Sequence, residues 1–75
     1  MNAQRRKRRD EAIEKLNEAL AIIEEIKDEE DTAYENMPEG LQESERGEHL
    51  QENVDTLESI YDEIETQVSE LEEVD

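Results

Sequence analysis

The chain has 75 residues, of which 32% are hydrophobic and 44% charged, with 25 Asp and Glu against 8 Lys and Arg for a formal net charge of −17. That length allows at most one small domain, and the absence of Cys excludes cysteine-ligated zinc fingers, disulfide scaffolds and thiol enzymes. No apolar run approaches the roughly 18 residues of a membrane span, and so negative a surface repels phosphate backbones and acidic lipid, so a charged partner is expected to be basic.

The first element is a basic block, Arg5, Arg6, Lys7, Arg8 and Arg9. Asp10 and Glu11 follow where a signal peptide would be apolar, so a soluble, cytoplasmic protein is expected. Residues 10 to 75 carry all 25 acids against Lys15, Lys27 and Arg46, a net of −22. The block therefore reads as a basic N-terminal extension of the first helix, residues 1–9, ahead of an acidic helical hairpin, residues 10–75. Pairing with acidic helix ends, a flexible tail and contact with an anionic surface are its three readings. No aromatic residue interleaves with it, so base stacking is not suggested and nucleic-acid binding is expected only as a minor role of Arg5 to Arg9.

A first helix is predicted over about residues 10–36 from the apolar stripe Ala12, Ile13, Leu16, Ala19, Leu20, Ile23 and Ile26, continued by Ala33, Tyr34 and Met37. Ile22 falls off this stripe. Three apolar positions per heptad suit a helix in a bundle. Lys27 and Glu30 occupy seam positions, so packing should loosen around the acidic run Asp28 to Asp31.

A connection is predicted over residues 37–44, because the only Pro and both Gly fall between Pro38 and Gly47 and proline disfavours helix in the residue before it. Leu41 is expected to plug the end of the bundle. Ser44 is the expected N-cap of the next helix, with Glu45 and Glu48 in its first turn. Gly47 is expected to permit a close approach of the helices beside Tyr34.

The second helix, about residues 45–73, carries the most regular pattern: Leu50, Val54, Leu57, Tyr61, Ile64, Val68 and Leu71 alternate by four and three, as in a heptad seam. Ile60 and Val74 widen it. Folded back about the connection, the two helices form an all-α antiparallel hairpin in which Ile23 faces Leu57 or Tyr61, Leu16 faces Ile64 or Val68, and Arg9 comes near Leu71 to Val74. Both the basic N-terminal cluster and the acidic C-terminal cluster oppose their helix dipoles, and their neutralisation of each other is expected to set orientation.

Two helices cannot bury a three-wide stripe, so a homodimer forming a four-helix bundle or coiled-coil assembly is expected. The residues expected in the assembled core are Leu16, Leu20, Ile23, Ile26, Leu57, Tyr61, Ile64 and Val68, with Ile22, Ile26 and Ile60 near a second seam.

No catalytic, cofactor-binding or metal-binding residue is assigned. Glu11 and Glu14, then Glu25 and Asp28, repeat the E-x-x-E and E-x-x-D spacing of all-α nucleotide pyrophosphatases, but acids this frequent produce such spacings by chance. His49 has Arg46, not Glu, three residues before it, which departs from the di-iron motif. Asp28 to Asp31 lack the glycine of a calcium loop, and Ser44 has no base beside it. The acidic surface reads as a solvated face or as a row of carboxylates imitating a nucleic-acid backbone, with Glu24, Asp28, Asp31, Glu52, Asp55 and Glu58 as its expected partner-binding residues.

The stretch Tyr34 to Glu48, YENMPEGLQESERGE, with its flanking acidic helices, resembles a pattern of small hypothetical proteins from phages and prophages of Gram-positive bacteria. The resemblance carries over no known function; it implies a mobile-element setting, in which small acidic proteins often antagonise or modulate host machinery. The irregular connection with Gly40, Gly47 and His49 is unlike the idealised loop of a designed hairpin. The function expected is a non-enzymatic acidic interaction module that engages a basic host surface. Its rival is an oligomeric nucleotide sponge or a metal-dependent all-α nucleotide enzyme.

Overall fold

A computed structural model describes all 75 residues. Two long helices, α1 (Ala3–Glu35) and α3 (Glu45–Glu72), are joined through a single-turn helix, α2 (Glu39–Gln42). The long helices run side by side in opposite directions. Arg6 at the start of α1 pairs with Asp75 beyond the end of α3, and Glu30 near the end of α1 meets Asn53 near the start of α3. The result is an all-helical hairpin shaped as a rod of 59 × 15 × 12 Å.

Helix α1 begins at the basic block, because Asn2 is extended and its Oδ1 accepts the backbone N–H of Arg5 at 2.8 Å. This N-cap satisfies one of the four free donors of the first turn. At the other end the amides of Asn36 and Met37 close onto Thr32 and Tyr34 carbonyls at 3.0 and 3.1 Å, and Pro38 has no N–H to continue the ladder. The connection over residues 37–44 is more ordered than the sequence suggested. The Pro38 carbonyl accepts from Leu41 at 2.8 Å and Gln42 at 3.2 Å, which winds the single turn of α2. Ser44 then caps α3, its Oγ accepting from the Gly47 amide at 3.4 Å.

Two expectations for the connection are corrected. Leu41 does not plug the bundle end; it is 52% exposed, because the turn of α2 directs Gln42 inward instead, and the Gln42 amide donates to the Tyr34 carbonyl at 3.2 Å. Gly47 is buried and does serve a close approach, but the approaching group is the backbone of Gln42. A Cβ on Gly47 would stand 2.2 Å from the Gln42 carbonyl oxygen.

The core is one residue deep. Only Leu20 and Val68 among hydrophobic side chains are buried, at 6% and 5% exposure. Ile13, Leu16, Ile23 and Tyr34 of α1 and Leu50, Val54, Leu57, Tyr61, Ile64 and Leu71 of α3 are half-buried around them. Two cylinders touch along a line, so each covers its own heptad row and leaves the flanks to solvent. Lys27 and Glu30 also sit half-buried in this row. They split it into a long apolar segment toward the open end and a short one near the turn.

Candidate functional site

Three surfaces follow from this packing: the open end where the termini meet, and the two long flanks of the rod.

At the open end, Arg9 is the best-covered residue of the basic block, with its side chain 17% exposed. Its guanidinium donates to the Val74 carbonyl and to Asp10 Oδ1. Helix α3 has no basic residue in its last turn, so a guanidinium from the other helix supplies the positive charge its C-terminus lacks. Arg6 meets Asp75 at 2.9 Å. Arg5, Lys7 and Arg8 are exposed and have no ion pair.

The first flank is acidic. Ile23, Glu24 and Lys27 of α1 and Glu58, Tyr61 and Asp62 of α3 line a shallow groove on it. Asp28 and Asp31 continue the Glu24 side at helical spacing, and Asp55 and Glu65 continue the Glu58 side. All six expected acidic-face residues, Glu24, Asp28, Asp31, Glu52, Asp55 and Glu58, are exposed, but they do not form one row. Glu52 precedes Glu58 by six residues, which rotates it about a third of a turn onto the outer back of α3. Asp62 and Glu65 occupy the flank in its place. The groove records this charge in the Tyr61 phenol, whose pKa is raised above its ordinary 10.0, first by the Glu24 carboxylate, then by partial desolvation and by Glu65 and Asp62, with Lys27 opposing.

The opposite flank is different. Seven of the eight expected core residues, Leu16, Leu20, Ile23, Leu57, Tyr61, Ile64 and Val68, lie in the seam between α1 and α3 of the single chain. Ile26 does not; it is 41% exposed, because it is a second successive step of three after Leu20 and Ile23, and where the seam continues at Lys27 it turns toward this flank. Ile22 and Ile60 are also exposed here, at 57% and 39%. A groove lined by Ile26, Glu30, Asn53, Thr56 and Leu57 runs along it. Through Glu30 it continues into a wider groove near the turn that includes Ala33, Met37, Leu41, Arg46 and Leu50.

His49 is exposed on α3, and no group of three or more His, Asp or Glu side chains is placed to hold a metal ion. No helix is long and apolar enough to cross a membrane.

Fold and surfaces together define an antiparallel helical hairpin with one carboxylate flank and one apolar flank. No family model, curated protein or solved structure matches the chain.

Proposed function

We propose that the chain is a non-enzymatic interaction module, a dimer of hairpins arranged as a four-helix bundle, that docks its carboxylate flank on the basic surface of a partner protein. The observation supporting this is the row Glu24, Asp28, Asp31, Glu58, Asp62 and Glu65: exposed carboxylates held on two antiparallel rigid helices, none joined to a cation in an ion pair. Carboxylates at fixed spacing along a rod offer a basic groove the kind of charge array that a nucleic-acid backbone offers. Lys27 is the one cation lining their groove, so cations from another molecule must compensate most of their desolvation. The setting implied by the resemblance at Tyr34 to Glu48 is a phage or prophage, with a host DNA- or RNA-binding protein as the partner.

The test is a pull-down from host extract with the wild-type chain and with Glu24→Gln, Glu58→Gln, Asp62→Asn combined. The reading expects capture that is lost in the triple variant at unchanged helicity, weakens with salt, and is displaced by added duplex DNA. Equal capture by the two chains would remove the carboxylate flank from the function.

A further inference from the structure

We infer that the flank opposite the carboxylates is the surface on which a second copy of this chain docks; this rests on the proposal that the hairpin dimerises and names the face that does it. Each long helix carries a second heptad stripe beside its seam. On α1 it runs Arg8, Ala12, Lys15, Ala19, Ile22, Ile26, Glu29 and Ala33. On α3 it runs Arg46, His49, Asn53, Thr56, Ile60, Glu63, Gln67, Glu70 and Val74. Each step is three or four residues, so each stripe stays on one side of its helix. The antiparallel pairing brings the two stripes to the same side of the rod, with Ile60 level with Ile22 and Ile26.

Charge selects the occupant. One residue in three of this chain is acidic, yet the two stripes carry only three acids, Glu29, Glu63 and Glu70, balanced by Arg8, Lys15 and Arg46. Two copies meeting by the other flank would set Glu24, Asp31, Glu58, Asp62 and Glu65 against their own images, and like charges in contact cost several kcal/mol. Meeting by the stripes, two chains of net charge −17 keep their carboxylate rows outward, on opposite sides of the assembly. A basic partner, by contrast, would find no net negative charge on this face.

Area agrees. A face of 59 × 15 Å is on the order of 900 Å², close to the roughly 800 Å² per partner of a standard stable interface. Ile22, Ile26 and Ile60, exposed in the hairpin alone, stand near the middle of that face, where a bundle places its core, while the charged residues Arg8 and Arg46 stand toward its ends.

The test combines sedimentation of the full chain with thiol protection. Single variants Ile60→Cys on the stripe and Asp62→Cys on the carboxylate flank are alkylated under reducing conditions from low to high micromolar chain. The inference expects a dimer in which Ile60→Cys reacts several-fold more slowly as concentration rises, while Asp62→Cys keeps its rate. A dimer in which the two thiols respond alike, or Asp62→Cys alone is protected, overturns the assigned face and leaves dimerisation standing. A monomer at every concentration overturns dimerisation itself, and protection of Ile60→Cys only in host extract would assign the stripe to a different protein. Ile60→Glu, examined by circular dichroism and sedimentation together, supplies a second readout: the inference expects loss of the dimer, and a dimer of wild-type affinity overturns it.

Discussion

Asn53 Nδ2 on α3 donates to Glu30 Oε2 on α1 at 3.1 Å, a side-chain hydrogen bond that crosses between the two long helices and that neither residue could make in any other register. Both residues are half-buried, and Glu30 stands in the seam where an apolar residue would contribute more to stability. A polar pair in that place exchanges stability for alignment, as a lone asparagine does in a coiled coil.

Removing one partner and removing both should therefore have different results. Asn53→Ala is expected to destabilise the chain by about 1 kcal/mol, because a half-buried carboxylate loses its donor. Glu30→Leu with Asn53→Leu is expected to be neutral or stabilising. Urea unfolding followed by far-UV circular dichroism measures both, and the double-mutant cycle isolates the coupling. Additive effects of the two single changes would show that the hydrogen bond contributes nothing.

Gly47 and Gly40 give a second comparison, in which helix propensity predicts the same sign for both and packing predicts opposite signs. Ala exceeds Gly by roughly 0.8–1 kcal/mol inside a helix. A Cβ at Gly40 meets nothing within 4 Å, whereas at Gly47 it would meet three backbone atoms of Gln42 within 2.8 Å. Gly40→Ala is expected to stabilise slightly. Gly47→Ala should destabilise by about 1–3 kcal/mol, the range of overpacked sites, because the atoms in the way are backbone and the turn must move. Melting temperatures of the two variants decide it, and a stabilised Gly47→Ala would mean that α2 is not seated against α3.

Local features of the fold are legible in the sequence, and contacts made between the helices are not. The heptad row from Leu50 to Leu71 located α3 and its seam, because apolar periodicity is a local property that burial enforces at every repeat. Ser44 was legible for the same reason: capping involves only its neighbours. Asn53 gave no signal, since an asparagine among exposed polar residues becomes a seam contact only when the other helix brings Glu30 to it. Leu41 misled because hydrophobicity says that a residue prefers burial, not that the backbone turns it inward; one turn of helix at α2 aimed Gln42 there instead. In the acidic flank the composition was plain but membership was not. Glu52 belongs to the back of α3 and Asp62 and Glu65 to the flank, a distinction that needs the rotation of each helix about its axis and not only the list of carboxylates.

Arg9 and Arg6 should separate a covered cation from an exposed one. Arg9 reaches the Val74 carbonyl with little of its side chain exposed, while Arg6 and Asp75 are 46% and 66% exposed. Exposed pairs contribute about 0–1 kcal/mol and are screened by salt. Arg6→Ala is expected to have an effect near the bottom of that range that vanishes in high salt. Arg9→Ala should cost about 1 kcal/mol and retain most of that in high salt, since it loses stem packing and a carbonyl contact as well as charge. Urea midpoints at two ionic strengths measure this. Equal, fully screened effects would reduce both arginines to diffuse surface charge.

Tyr61 supplies a pH dependence with a defined sign. Its phenol binds its proton more tightly in the folded chain than the ordinary 10.0, because the Glu24 carboxylate and then partial desolvation disfavour the phenolate. A folded-state value above the unfolded one contributes stability that is complete below the unfolded pKa and is lost as pH rises through the folded value. The hairpin should therefore weaken as pH climbs past about 10, and the acidic flank should be where it does so. Ultraviolet titration of tyrosinate in a Tyr34→Phe background reads Tyr61 alone. In that background Glu24→Gln is expected to move the Tyr61 titration downward, toward its position in the urea-unfolded chain, whereas Glu52→Gln, on the back of α3, should leave it in place. If Tyr61 already titrates as in the unfolded chain, or if Glu52→Gln shifts it as much as Glu24→Gln does, then Glu24, Tyr61 and Asp62 do not share one groove and the carboxylate row on that flank is not assembled as described.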